Sequence, residues 1–148
     1  MGKPMGNGHP VAAMVARPAL LDGFGSRTRY FNTFGGNPVS CAAAGAVLRT
    51  VDDDFLAEVR RKGQVLIDEA SRLPAVEEVR GRGLMLGLVL DAPVAKLVVK
   101  HGLAHGLIVN APADDVIRLT PPLVISDDEI RQAIERLAEA IADAKERS

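Results

Sequence analysis

Glycine and proline are concentrated in residues 1–36, which limits the regular structure that this part of the chain is able to form. Glycine adopts backbone conformations closed to other residues, and proline interrupts helices and central strands. We therefore predict short strands joined by turns here. Residues 11–16 (Val-Ala-Ala-Met-Val-Ala) are an uninterrupted apolar run, which is typical of a strand covered on both faces. Because nothing in the first ten residues is able to cover this run, we expect it to need a partner.

Helix and strand signals become regular from Asn37 onward. Asn37 suits the N-cap of a helix and Pro38 its first position, so an alanine-rich helix is predicted through Leu48. A second helix is predicted to end before Pro74. The later predicted elements are strands at 76–79 and 84–90, a helix at 93–105, strands at 107–109 and 116–119, and a last helix. This order predicts an α/β fold with a small, largely antiparallel sheet.

The last helix has the clearest signal of all. Ser126 and Glu129 have the spacing of a capping box, and an apolar stripe at helical spacing follows them. We therefore expect this helix to begin just after Ser126 and to pack along its apolar stripe.

The composition excludes several classes of function. The 148 residues have a formal net charge of −1 with acidic and basic residues interspersed, so no surface for nucleic acid or an anionic membrane is expected. No apolar run of about 18 residues or more is present to span a bilayer. Cys41 is the only cysteine, which excludes an internal disulfide and fits a cytoplasmic location. We expect Cys41 to be a small core residue.

Lys3 and Thr33 are candidate functional residues of the first part. Lys3 lies in a glycine-rich segment, where it is either a solvated surface lysine or an amine that reaches into a pocket. Thr33 precedes a Gly-Gly pair, and its hydroxyl either satisfies a local backbone group or donates to a phosphate oxygen.

Arg118 is the third candidate. Its neighbours in the predicted strand are apolar, so we expect the guanidinium to be buried and to require a partner. That partner is either an internal carboxylate, Asp114 or Asp115, or a substrate carboxylate held by the two-pronged guanidinium.

Three other polar residues are less informative. His101 and His105 have the i, i+4 spacing of metal ligands on a helix, but no third ligand follows from the sequence, so no metal site is predicted. Asn110 either shapes a substrate entrance or closes a turn.

Three segments together resemble the C-terminal part of a class III aminotransferase. They are residues 2–12 around Lys3, residues 31–38 (Phe-Asn-Thr-Phe-Gly-Gly-Asn-Pro) and residues 116–123 (Val-Ile-Arg-Leu-Thr-Pro-Pro-Leu). The first resembles the branch of alanine–glyoxylate type 2 enzymes and ethanolamine-phosphate phospho-lyase. The last, together with residues 106–111, resembles acetylornithine aminotransferase. Because the two ends resemble different branches, neither end specifies the substrate.

The resemblance implies pyridoxal phosphate (PLP) as cofactor and a role for each candidate. Lys3 matches the Schiff-base lysine, which also shuttles the proton. Thr33 matches the threonine that binds the PLP phosphate of the neighbouring subunit, which implies active sites at a homodimer interface. Arg118 matches the arginine that binds the substrate carboxylate. The implied reaction transfers an amino group between an amino acid or amine and a 2-oxo acid.

The resemblance also implies that this chain is a truncated piece, because family members are more than twice as long. The expected phosphate loop, the aromatic ring that stacks on PLP and the aspartate at the pyridinium nitrogen have no counterpart here. We expect residues 1–52 to be a remnant of the large PLP-binding domain and residues 53–148 to be the C-terminal small domain of a fold type I enzyme.

A chain of this kind is expected to be inactive alone. Two alternatives remain open: a non-catalytic α/β domain that dimerises or binds small carboxylates, and one half of a split aminotransferase that pairs with a missing N-terminal half. In each case the apolar surface of the first part makes a free monomer unexpected.

Overall fold

The computed structural model describes residues 1–146, except for the side chain of Lys3. It divides the chain into two compact units, Met1–Phe55 and the residues from Leu56 onward. The division lies close to the predicted boundary between residues 52 and 53. The identity of the first unit as a remnant of a larger domain stays a prediction.

A four-stranded antiparallel sheet forms the centre of the second unit. Its strands lie in the order β1-β2-β4-β3, and all three pairings are antiparallel. The strands are β1 (Val76–Arg82), β2 (Met85–Leu90), β3 (Asn110–Ala113) and β4 (Val116–Leu119). The predicted α/β class with a small antiparallel sheet is confirmed.

Five α-helices accompany the sheet in the described residues. The helices are α1 (Pro18–Gly25), α2 (Pro38–Thr50), α3 (Asp53–Ala70), α4 (Ala95–Ala104) and α5 (Asp127–Glu146). A short 3-10 helix at Lys3–Gly6 precedes them. No described helix is long and apolar enough to cross a bilayer.

The core of the second unit lies between one face of the sheet and the helices α3, α4 and α5. Leu86, Leu88 and Leu90 alternate along β2 and are all buried, because successive side chains of a strand point to opposite faces. The same cluster contains Leu66 of α3 and Ile130 of α5. The alternate positions of the strands therefore face away from this core.

Residues 107–109 were predicted as a strand, and that prediction is wrong. The backbone N–H of Leu107 donates to the carbonyl of Gly102 at 2.7 Å. This bond closes the end of α4, so the backbone at this point terminates a helix instead of pairing with a strand. The strand begins only at Asn110.

The first unit has almost no core of its own. Its described residues contain no strand, so the prediction of short strands at residues 1–36, including 11–16, is wrong. Met14 is 82% exposed and Val15 is 78% exposed. A strand requires a row of backbone partners, and in the described part of this run only Ala13 has one, exchanging hydrogen bonds with Met1. Ala44 is the one buried apolar residue among the described residues of this unit.

Limited proteolysis is expected to remove the first unit before it attacks the second. A segment with few buried apolar contacts opens locally at a low free-energy cost, whereas the second unit opens only when its core is disrupted. Trypsin should therefore cut after Arg27 or Arg29 about tenfold faster than after Arg80 or Arg131. Mass spectrometry of a time course measures both rates. Equal rates in the two units would contradict this account of the packing.

The capping box at the start of α5 is present as predicted. The hydroxyl of Ser126 accepts a hydrogen bond from the backbone N–H of Glu129 at 3.2 Å. The Glu129 carboxylate in turn accepts from the backbone N–H of Ser126 at 2.7 Å. The backbone and hydroxyl bonds from Ser126 lower the pKa of the Glu129 carboxyl.

Replacing Ser126 by alanine should destabilise the second unit by about 1 kcal/mol, since one helix N–H loses its partner. Urea denaturation measures the change. Ser71→Ala is a suitable control, because the Ser71 hydroxyl donates to the carbonyl of Ile67 at the exposed end of α3 and caps no N–H group. A loss no larger for Ser126→Ala than for Ser71→Ala would contradict the capping role.

Candidate functional site

Arg118 lies on the open face of the sheet, not in the core. Its neighbours Ile117 and Leu119 in β4 are 0% and 9% exposed, whereas Arg118 itself is exposed. The expectation of a buried guanidinium is therefore wrong, because the alternation of the strand turns residue 118 away from the helices. The charge remains hydrated without an obligatory partner inside the protein.

Asn110 contacts the arginine from the neighbouring strand. Asn110 and Arg118 are directly paired in the register of β3 and β4. The Nε–H of Arg118 donates to Oδ1 of Asn110 at 3.0 Å. Among the described residues, no carboxylate lies within 4 Å of the guanidinium. The arginine is thus anchored at Nε while its positive charge is not neutralised.

The predicted internal partners of Arg118 are engaged differently. Asp114 forms an ion pair with Lys96 at 2.7 Å, and this carboxylate raises the pKa of the Lys96 ammonium. The carbonyl of Asp115 accepts a hydrogen bond from the backbone of Leu90. Neither aspartate forms an ion pair with Arg118 in the described structure. The first predicted kind of partner, an internal carboxylate, is therefore not found among the described residues.

A cavity of about 400 Å³ opens beside Arg118. Most of its wall is apolar, and Arg118, Asn110 and Thr120 are the polar side chains on it. The apolar wall comprises Leu66, Leu107, Ile108, Val109, Leu119, Pro121, Pro122, Ile125 and Ala133. A cavity with one cationic group and an apolar wall suits a small molecule that has a carboxylate at one end.

Arg80 provides a contrast on the same face of the sheet. In the register of the strands, Arg80 is paired with Gly87 of β2, and Gly87 is paired with Arg118. Arg80 forms an ion pair with Glu78 at 2.6 Å. The hydrogen bond between them raises the pKa of the Arg80 guanidinium and lowers that of the Glu78 carboxyl. Arg80 is thus already paired with a carboxylate, and Arg118 is not.

Thr33 lies in an exposed turn of the first unit, between α1 and α2. The side chain of Asn32 shapes this turn by accepting a hydrogen bond from the backbone of Phe34 at 3.0 Å. Asn37 then caps α2 as predicted, accepting from the backbone of Val39 and Ser40. Thr33 is itself exposed, and its predicted contact with a phosphate stays a prediction.

The side chain of Lys3 lies outside the described residues, so its predicted role stays a prediction. Its backbone belongs to the 3-10 helix, which begins with a bond from the N–H of Met5 to the carbonyl of Gly2 at 2.8 Å. His9, in the same segment, lies 3.0 Å from the hydroxyl of Ser40 in α2. No local sequence pattern predicts that contact, which joins residues 31 positions apart.

The structure also places Cys41 and the two histidines of the sequence analysis, His101 and His105. Cys41 is exposed, so its assignment to the core is wrong; among the described residues of α2 only Ala44 is buried. His105 lies 3.0 Å from Glu139 and 2.9 Å from Asp143, and both carboxylates belong to α5. His101 is 3.8 Å from Asp143. The two histidines therefore link α4 to α5.

Comparison with known proteins defines the family. The model of the class-III aminotransferases matches residues 1–141. An acetylornithine aminotransferase of Corynebacterium efficiens is 53% identical over 143 residues, which cover 97% of this chain and 35% of that protein. The chain therefore belongs to the class-III aminotransferase family, as the three sequence segments had indicated, and spans about a third of the length of this relative.

Two solved structures agree with this assignment. A phospholyase from Arthrobacter, in complex with phosphoethanolamine, has a TM-score of 0.83 and 38% identity over 96% of this chain and 37% of its own. An ornithine aminotransferase from Toxoplasma gondii has a TM-score of 0.81 and 30% identity over 99% of this chain and 36% of its own. The latter structure has PLP at partial occupancy in its active site. PLP is thereby confirmed as the cofactor of the family.

Proposed function

We propose that this chain is the C-terminal part of a PLP-dependent aminotransferase, which moves an amino group between an amino acid or amine and a 2-oxo acid. The observation that carries this proposal is Arg118, which lies at an apolar cavity without a described carboxylate partner. The identity to the acetylornithine aminotransferase, at 53%, exceeds the 38% to the phospholyase. This difference favours an N-acylated ornithine as the amino donor.

The described residues of the first unit fit PLP in part. The exposed hydroxyl of Thr33 suits a phosphate oxygen, and the backbone N–H groups of its turn add donors nearby. The carboxylates of the same unit, Asp22 and residues 52–54, are all exposed, so none is buried beside a ring nitrogen. Thr33 therefore suits the phosphate of PLP, and no described carboxylate of this unit suits the pyridinium nitrogen. We assign the covalent attachment to Lys3.

Each of the three residues then has a distinct task. PLP, when bound, supplies an electron-withdrawing ring that stabilises negative charge at the reacting carbon. Arg118 binds the substrate carboxylate through its Nη groups and so orients the substrate. The apolar wall of the cavity lies beside the exposed guanidinium and suits the carbon chain of the substrate. Lys3 takes and returns a proton at Nζ, and Thr33 holds the phosphate.

The chain is proposed to act with another polypeptide, either a second copy or a separate N-terminal half. Phe31 is 85% exposed and Phe34 is 78% exposed in the described structure of the first unit. Such aromatic surface is rare on a monomer and typical of an interface. Without a partner for the pyridinium end of PLP, we expect no steady-state amino transfer from the chain alone.

A second candidate function is a carboxylate-binding domain without catalysis. The second unit supports it, because this unit packs its own core and carries both Arg118 and the cavity. This candidate requires neither Lys3 nor Thr33. Amino transfer that depends on Lys3 therefore separates it from the enzyme.

Titration of the purified chain with 2-oxoglutarate tests the role of Arg118. Arg118→Ala should weaken binding about tenfold or more, because charge-assisted hydrogen bonds to the carboxylate are lost. Arg80→Ala is the matched control, and it should bind within about twofold of the unaltered chain, since Arg80 is paired with Glu78. Isothermal titration calorimetry measures the three dissociation constants. Equal affinities in all three proteins would contradict the proposal.

A further inference from the structure

We propose that Asn110 is a positioning residue, which fixes the Nε edge of Arg118 so that the two Nη groups remain available to a carboxylate. The inference rests on the proposed function of Arg118 and adds a second residue to that site. It follows from three observations: the contact between the two side chains, the open space on the other side of the arginine, and the contrast with Arg80.

The contact uses one particular edge of the guanidinium. Residues directly opposite each other in an antiparallel pair point to the same face, so Asn110 is in reach of Arg118 without distortion. Its Oδ1 accepts from Nε at 3.0 Å. A guanidinium binds a carboxylate in a bidentate manner through two neighbouring N–H groups. With Nε occupied, the Nη1–Nη2 edge is the one left for a ligand.

The other flank of Arg118 is open. In the sheet, the residue opposite Arg118 on β2 is Gly87, which has no side chain. On the exposed face, Arg118 therefore lies between Asn110, which holds its Nε edge, and Gly87, which has no side chain. A Cβ at position 87 would lie 3.5 Å from the side chain of Val116 and would have no atom of Arg118 within 4 Å.

The neutrality of the asparagine is as important as its hydrogen bond. Glu78 also holds an arginine on this face, Arg80, but it does so with a negative charge that compensates the guanidinium. An amide oxygen anchors the side chain and leaves the full positive charge for the ligand. Anchoring also reduces the rotamer freedom that a long side chain would otherwise lose on binding.

Two substitutions at position 110 separate positioning from a structural role. Asn110→Ala removes the anchor and should raise the dissociation constant for 2-oxoglutarate about threefold to tenfold. Asn110→Asp keeps the size of the side chain and its acceptor oxygen but adds a negative charge. This substitution should raise the dissociation constant for 2-oxoglutarate more than tenfold. If Asn110 had only a structural role, Asn110→Asp would leave the dissociation constant unchanged, because the aspartate still accepts a hydrogen bond from Nε. Glu78→Gln is the control, and its dissociation constant should stay within about twofold of that of the unaltered chain, since Glu78 contacts Arg80.

A nuclear magnetic resonance experiment on the complete chain detects the hydrogen bond from Nε of Arg118 to Asn110 directly. The Nε–H signal of Arg118, identified by its absence in Arg118→Ala, should exchange slowly with water in the unaltered chain and faster in Asn110→Ala. Titration of each protein with 2-oxoglutarate then gives its affinity. Thermal midpoints should agree within about 2 °C, because both residues are exposed.

The outcomes distinguish this inference from the proposed function. If Arg118→Ala weakens binding while both variants at position 110 bind like the unaltered chain, Asn110 has no positioning role and the function of Arg118 stands. If the unaltered chain binds 2-oxoglutarate no better than Arg118→Ala does, both the positioning role of Asn110 and the proposed function of Arg118 are wrong. Slow exchange at Nε together with weaker binding of both position-110 variants supports the inference.

Discussion

Replacing Lys3 by alanine is expected to abolish amino transfer in a chimeric enzyme that contains this chain. In the chimera, the chain replaces the matching stretch of the Corynebacterium efficiens relative, whose remaining part supplies the residues that this chain does not contain. On the proposed function, the substitution removes the amine to which we assign cofactor attachment and proton transfer. We expect a loss of about a thousandfold or more. The measurement is PLP-dependent transfer from N-acetylornithine to 2-oxoglutarate.

Lys100→Ala is the matched control, because Lys100 is an exposed lysine of α4. Its activity should stay within about twofold of the chimera. Size-exclusion chromatography and circular dichroism establish that each variant is folded. Two results would contradict the account: a folded chimera without amino transfer, or a Lys3→Ala chimera as active as its parent.

A large loss of stability is expected for Gly63→Ala in α3. A methyl group at this position would overlap the backbone of Gly83, with the carbonyl carbon at 2.6 Å. Backbone in the turn between β1 and β2 cannot move aside as a flexible side chain can, and Gly83 is itself in the left-handed region, at φ +57°. We expect a destabilisation of about 2–4 kcal/mol, which outweighs a gain of about 1 kcal/mol in helix propensity.

Gly87→Ala provides the control for this prediction. Its added methyl group would lie 3.5 Å from the side chain of Val116, an ordinary van der Waals contact. The change in the free energy of unfolding should be within about 0.5 kcal/mol. Urea denaturation followed by circular dichroism measures both variants. Similar midpoints for Gly63→Ala and Gly87→Ala would show that α3 does not approach the turn as closely as the structure has it.

The elements that could be predicted from the sequence are those whose signals are local. Asn37 caps α2, and Ser126 with Glu129 caps α5, because each signal depends on residues within one helical turn. The exposure of Arg118 was also predictable in principle. Its neighbours Ile117 and Leu119 define the buried face, so the period of two places residue 118 on the opposite face.

The features that could not be predicted depend on contacts between distant segments or on residues outside the chain. The bond between Asn110 and Arg118 requires the register of β3 and β4, which no single residue specifies. The apolar run at 11–16 has the composition of a buried strand, yet a strand forms only where another offers its backbone. Cys41 illustrates the same limit, because the burial of a helix face depends on what packs against it.

Chemical labelling of the unaltered chain with PLP tests the central claim most directly, namely that this chain carries the cofactor lysine of a class-III aminotransferase. The chain is incubated with PLP, reduced with borohydride, digested and analysed by mass spectrometry. We expect the label mainly on Lys3, and we expect Thr33→Val to lower this preference because the phosphate loses a donor. A label distributed evenly over Lys3, Lys62, Lys96, Lys100 and Lys145 would contradict it.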